Sequence, residues 1–108
     1  LSLPGRDERF YWPEIPDGSC VHWRDAGERD RAFADALRAC FASPERLVCI
    51  SHTRESALVL GCADAIAHAR VLLDAFHGTL WVIARSAAPG LVEVSSSDDE
   101  VCWLPPPR

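Results

Sequence analysis

The sequence predicts an α/β fold: one layered domain in the order β-α-β-α-β-β-β, with a mixed sheet and two main helices. Three observations carry this. Residues 47–84 run from LVCIS through a long Ala- and Leu-rich stretch to TLWVIA, which reads as strand, helix, strand. A unit of this kind joins two parallel strands by a right-handed crossover. Upstream, Phe33, Leu37, Cys40 and Phe41 recur at helical spacing while Asp30, Arg31, Asp35 and Arg38 fall elsewhere, the pattern of an amphipathic helix lying on a sheet. Downstream, two short apolar runs flank SSSDDE, which reads as an antiparallel hairpin with a loose acidic tip.

Taken in order, residues 1–19 are punctuated by Pro4, Gly5, Pro13, Pro16 and Gly18 and form an N-terminal arm. Phe10, Tyr11 and Trp12 cluster within it, and Pro13 confines any strand there to an edge. The rings are expected to cap the core; the sharper alternative is an exposed aromatic patch for a protein partner. Residues 19–23 read as strand one. Helix one follows, with Asp25 as N-cap, Glu28 at capping-box spacing and Ser43-Pro44 as its stop. Residues 46–51 are strand two. Helix two is expected over residues 54–76, between Thr53 as N-cap and Gly78 as stop. Its polar stripe, Gly61, Asp64 and His68, is narrow, so its remaining surface needs cover from the domain or from a partner. Residues 79–84 are strand three. Ala87, Ala88, Pro89 and Gly90 turn the chain into the final hairpin, residues 91–95 and 101–104. The Pro-rich tail, residues 105–108, leads into a linker.

The chain has 108 residues, 48% of them hydrophobic and 25% charged, which suits one core and a single domain spanning 1–108. A net charge of −5 argues against direct nucleic-acid contact. Arg54, Glu55, Asp64, His68, Arg70 and Asp74 interrupt the most apolar stretch and argue against a membrane span. Every cation is Arg. The ends LSLPG and PPPR look like cuts in linkers, so a larger parent protein is expected. Cys20, Cys40, Cys49, Cys62 and Cys102 are odd in number and lack close pairs, which argues against a disulfide framework and for a reducing intracellular compartment.

Four constellations could carry chemistry. Each proposed parallel strand ends near an arginine, and ligands of open α/β sheets bind at the carboxyl ends of strands. Arg24, His52, Thr53, Arg54, Arg85 and Ser86 would then form an anion or nucleotide pocket, helped by free N–H groups at the start of helix two. Asp25 and Glu55 weaken its field, and no Gly-rich phosphate loop is present. Cys20-x-His22 with Cys49-x-x-His52 offers four zinc donors. Strand neighbours point to opposite faces, however, so buried cysteines and surface histidines are the simpler reading and no metal is assigned. Cys49 or Ser51 with His52 or His68 forms no triad, and Asp64 with His68 is a helix-surface pair. No enzymatic activity and no cofactor is expected. Ser95, Ser96 and Ser97 precede Asp98, Asp99 and Glu100 at the spacing of acidophilic phosphorylation; a solvated turn is the simpler reading.

Residues 42–76, ASPERLVCISHTRESALVLGCADAIAHARVLLDAF, with GTLWVIAR after them, resemble the C-terminal region of the alphaherpesvirus major immediate-early transcriptional regulator. The Arg-only, Ala- and Pro-rich usage and the serine-acid tract are similar to those of such GC-rich viral proteins. The resemblance implies a nuclear phosphoprotein whose DNA contacts lie elsewhere, this piece supporting transcription regulation through protein contacts. It carries over no functional residue. The resulting expectation is a non-enzymatic interaction domain that binds a protein partner or a second copy of itself. Its candidate surfaces are Phe10, Tyr11 and Trp12 and the open flank of helix two.

Overall fold

A computed structural model describes residues 5–6, 9–51, 57–76, 78–85 and 90–106. Strands β1 (Gly5–Arg6) and β2 (Arg9–Phe10) form a small hairpin, followed by one 3-10 turn over Trp12–Glu14. The body then runs β3 (Ser19–His22), α1 (Ala26–Cys40), β4 (Arg46–Ser51), β5 (Ala57–Gly61), α2 (Cys62–Ala67), α3 (Ala69–Ala75), β6 (Thr79–Ala84), β7 (Leu91–Ser95) and β8 (Glu100–Leu104). Its six strands lie in the order β3-β8-β7-β6-β4-β5, and every neighbouring pair is antiparallel.

The α/β character holds, but the mixed sheet does not, and one segment accounts for the difference. Ala57–Gly61, expected inside helix two, is a strand hairpinned onto β4. Leu58, Val59 and Leu60 are continuously apolar, so they fit a helix interior and a strand equally well. The added strand reverses the chain. The crossover through α2 and α3 therefore joins β5 to β6, which flank β4 on either side, and β6 meets β4 antiparallel instead of parallel. The expected helix is also broken: His68 adopts φ −116° and ψ 29° between α2 and α3. Gly78, at φ 88°, makes the left-handed turn from α3 into β6.

Both helical segments cover one face of the sheet. Phe33, Ala36, Leu37 and Cys40 of α1 and Cys62, Ala65, Leu72 and Leu73 of α2 and α3 pack on Leu47, Cys49, Leu80, Val82, Val92, Val94 and Val101. Asp25 caps α1 by accepting from the Glu28 N–H at 2.8 Å, and the Glu28 carboxylate reaches back to the Arg24 N–H at 2.8 Å. Arg29 ties the helices together, donating to Asp74 at 2.8 Å, while Arg70 pairs with Asp30. Leu37 is fully buried, and truncating such a side chain costs about 3 kcal/mol.

The N-terminal arm covers the opposite face. Trp12 and Ile15 pack on Leu91 and Cys102, joined by Phe10, Trp81, Ile83 and Leu104. Phe10, Tyr11 and Trp12 are therefore not an exposed docking patch. Trp12 is buried and Phe10 and Tyr11 are half-buried, because they roof a second core. At its centre lies Glu93, fully buried in the middle of β7. Its carboxylate accepts from Trp12 Nε1 (3.0 Å), Trp81 Nε1 (2.9 Å) and the Phe10 backbone N–H (3.0 Å). A buried carboxylate survives only with such donors, so Glu93 both requires the arm and fixes its position.

Candidate functional site

Arg24 and Arg85, the predicted strand-end arginines among the described residues, do not converge. Arg24 follows β3 and Ser51 ends β4, at the same end of the sheet but separated by β8, β7 and β6, roughly 19 Å across. Arg24 is engaged locally: its Nε and NH2 donate to the Glu28 carboxylate at 3.2 and 2.8 Å. That guanidinium holds the Glu28 carboxyl down at about 2, first through its side-chain hydrogen bonds. Arg85 lies at the other end of the sheet, its N–H donating to the Arg46 carbonyl at 3.3 Å, because β6 runs against β4. His52, Thr53, Arg54 and Ser86 lie outside the described residues.

The proposed zinc and catalytic sets separate in the same way. Cys49 lies under the helices, fully buried, and desolvation pushes its thiol up to about 12. Cys40 is likewise raised to about 11. Neither is a thiolate near neutral pH, so neither is an activated nucleophile. Cys20 sits on the opposite face and is bonded to Cys102 in a disulfide across the β3–β8 ladder, where the two residues are direct partners with Cα atoms 4.1 Å apart. One disulfide is present where the odd count and the absence of close pairs argued against a disulfide framework; Cys40, Cys49 and Cys62 are free. The two cysteines are 82 residues apart, so sequence spacing could not show that topology makes them neighbours.

The serine-acid tract is a tight turn. Ser95 is fully buried, and its Oγ accepts from the Asp98 N–H at 3.3 Å. The Ser96 Oγ is clasped by Gly78, accepting from its N–H at 2.7 Å and donating to its carbonyl at 3.1 Å. Of the three serines, Ser97 is exposed without such a clasp to the neighbouring loop, so Ser95 and Ser96 need local opening before a kinase reaches them.

The two edges of the sheet hold the remaining features. At the first edge, Cys20 and His22 of β3 stand opposite Cys102 and Glu100 of β8. His22 Nε2 lies 3.2 Å from Glu100 Oε2. At the second edge, β5 presents Leu58 and Val59 at 44% and 45% exposure, with no charged residue between Ala57 and Gly61. Its hydrogen-bonding phase is fixed by the Cys62 N–H, which donates to the Glu45 carbonyl at 2.8 Å one step beyond the Arg46–Gly61 pair. Bonded and non-bonded pairs alternate along an antiparallel ladder, so Leu60 and Leu58 bond to β4. Ala57, Val59 and Gly61 therefore turn their N–H and C=O groups outward. The Arg85-to-Arg46 bond agrees, since it points the Arg46 backbone toward β6.

Sequence reasoning missed this edge because it placed Leu58 and Val59 in a helix. It also missed Glu93, whose signal was a lone acid inside the apolar run LVEV. Searches of protein-family models, curated proteins and solved structures find no match to this chain.

Proposed function

We propose that this chain is a non-enzymatic protein-interaction domain, part of a larger regulatory protein, whose docking element is the open edge of β5. The observation that carries this reading is the outward-facing backbone of Ala57, Val59 and Gly61 on an apolar, uncharged edge strand. Such an edge is a template for strand addition. The partner of best fit is a second copy. Centred on Val59, an antiparallel pairing sets Val59 against Val59 and Ala57 against Gly61, so all three outward residues of each chain find bonded partners. Leu58 then faces Leu60, an apolar cross-strand pair. The joined sheets would have a two-fold axis and closed symmetry.

Burial of the Cys49 and Cys40 thiols supports the non-enzymatic reading. The assignment of the parent as a viral transcriptional regulator, and of a nuclear setting, is supported by the resemblance in residues 42–76 alone. The proposed compartment is reducing, where an accessible disulfide is the first bond to open.

Light scattering of the full chain across a concentration series tests the reading. A monomer–dimer equilibrium is expected, abolished in Val59→Pro. Proline at this position removes an N–H that the domain's own ladder does not use. A chain monomeric at every concentration, or a dimer indifferent to Val59→Pro, would overturn it.

A further inference from the structure

The edge opposite β5 carries a feature that partner docking does not use. Cys20-x-His22 on β3 faces Glu100-x-Cys102 on β8, with Cys20 opposite Cys102 and His22 opposite Glu100. Residues two apart on a strand share a face, so the four side chains form one block. One donor atom from each of Cys20, Glu100 and Cys102 lies within 4.8 Å of the other two. His22 Nε2 adjoins the Glu100 carboxylate at 3.2 Å. The block is reachable: Cys20 is exposed and the His22 side chain is 73% exposed. Cys102 and Glu100 lie deeper, the Glu100 side chain 15% exposed.

We propose that Cys20, Cys102, Glu100 and His22 form a zinc site when the Cys20–Cys102 disulfide is reduced. Two thiolates, one imidazole and one carboxylate are the donor types of tetrahedral zinc. Bond lengths of about 2.3 Å to sulfur and about 2.0 Å to nitrogen and oxygen place tetrahedral donors roughly 3.3–3.8 Å apart. Among Cys20, Glu100 and Cys102 the donor separations already lie within 4.8 Å, and His22 Nε2 lies 3.2 Å from the Glu100 carboxylate. The divalent charge stabilises the two thiolates formed on binding and the neighbouring Glu100 carboxylate.

The chemistry balances in two steps. A dithiol reductant becomes a cyclic disulfide as it breaks the Cys20–Cys102 bond, passing two electrons and two protons to the two sulfurs. Zn²⁺ then displaces those two protons and forms two Zn–S bonds. In the oxidised chain the sulfurs are bonded to each other and lack thiolate charge. Disulfide and metal are therefore alternative occupants of one site, chosen by redox conditions.

The test is titration of the full chain with Co²⁺ after dithiol reduction and anaerobic removal of the reductant. One Co²⁺ per chain is expected, with visible bands of a tetrahedral thiolate complex that Zn²⁺ bleaches. The oxidised chain should show none. Cys20→Ser should abolish the bands, and Glu100→Gln and His22→Ala should each weaken binding at least about tenfold. Circular dichroism of each variant separates lost binding from lost fold. Glu100→Gln and His22→Ala decide the matter if Cys20→Ser does not fold. Three results would each overturn the proposal: no bands in the reduced chain, equal bands in the oxidised chain, or unchanged affinity in both the Glu100 and His22 variants.

Discussion

The two edges of the sheet are built on opposite plans. The β3 edge carries covalent and polar chemistry: the Cys20–Cys102 disulfide, the His22–Glu100 contact and the Arg24–Glu28 pair all lie at or beside it. The β5 edge has none of these between Ala57 and Gly61, only Ala, Leu, Val and Gly. Soluble proteins generally blunt an edge with charge, proline or cover. On the proposed reading, the contrast between a polar, disulfide-bonded edge and a bare apolar one within a single sheet directs association to the bare side.

The contrast can be broken most strongly at the disulfide. Closing a loop of 82 residues restricts the unfolded chain, and the chain-entropy model gives about 4.5 kcal/mol. Cys20→Ser should lower stability in urea by that amount under oxidising conditions and hardly at all under reducing ones. An equal loss in both would assign the effect to packing instead.

Next in size is Glu93, which lies in the cross-strand row running from Cys20 through Cys102 and Glu93 to Trp81. Glu93→Ala strips the acceptor from two indoles and a backbone N–H, and should cost about 3 kcal/mol. Tryptophan fluorescence should shift to the red as Trp12 leaves its site. A blue, unshifted spectrum with intact stability would show that the arm docks without it.

Smaller still is the stability effect of Val59→Pro, expected below about 1 kcal/mol because the lost N–H faces outward. Chemical denaturation at low protein concentration measures it, and a loss of several kcal/mol would mean that Val59 bonds inward after all.

The smallest effect concerns acid. Glu28 is held at about 2, below its ordinary 4.5, so its contribution is present above pH 4.5 and is lost as pH falls through about 2. Carboxyl NMR should find that low midpoint in the native chain and a higher one in Arg24→Ala, still below the ordinary value because the backbone N–H at residue 24 remains bonded to the carboxylate. No change would detach the Arg24–Glu28 pair from the shift.

How much of this the sequence disclosed depends on periodicity. Helix α1 was legible because Phe33, Leu37 and Cys40 mark one face and Asp25 caps it. Strands β4, β6 and β7 were legible from their bounded apolar runs. Strand β5 was not, since Leu58, Val59 and Leu60 carry no period, and losing one strand inverted the direction of β6 and with it the supposed arginine pocket. The Cys20–Cys102 pair and the Glu93 cage were hidden for another reason. Each depends on which strands become neighbours, and β3 pairs with β8 from the far end of the chain.

Amide hydrogen exchange along β5, measured at low and high protein concentration, tests the open-edge claim most directly. The Leu58 and Leu60 amides bond to β4 and should be protected at both. The Val59 amide faces outward, and its exchange should be fast when dilute and slow when concentrated, as a second β5 pairs with it. A Val59 amide that exchanges freely at every concentration would contradict the claim.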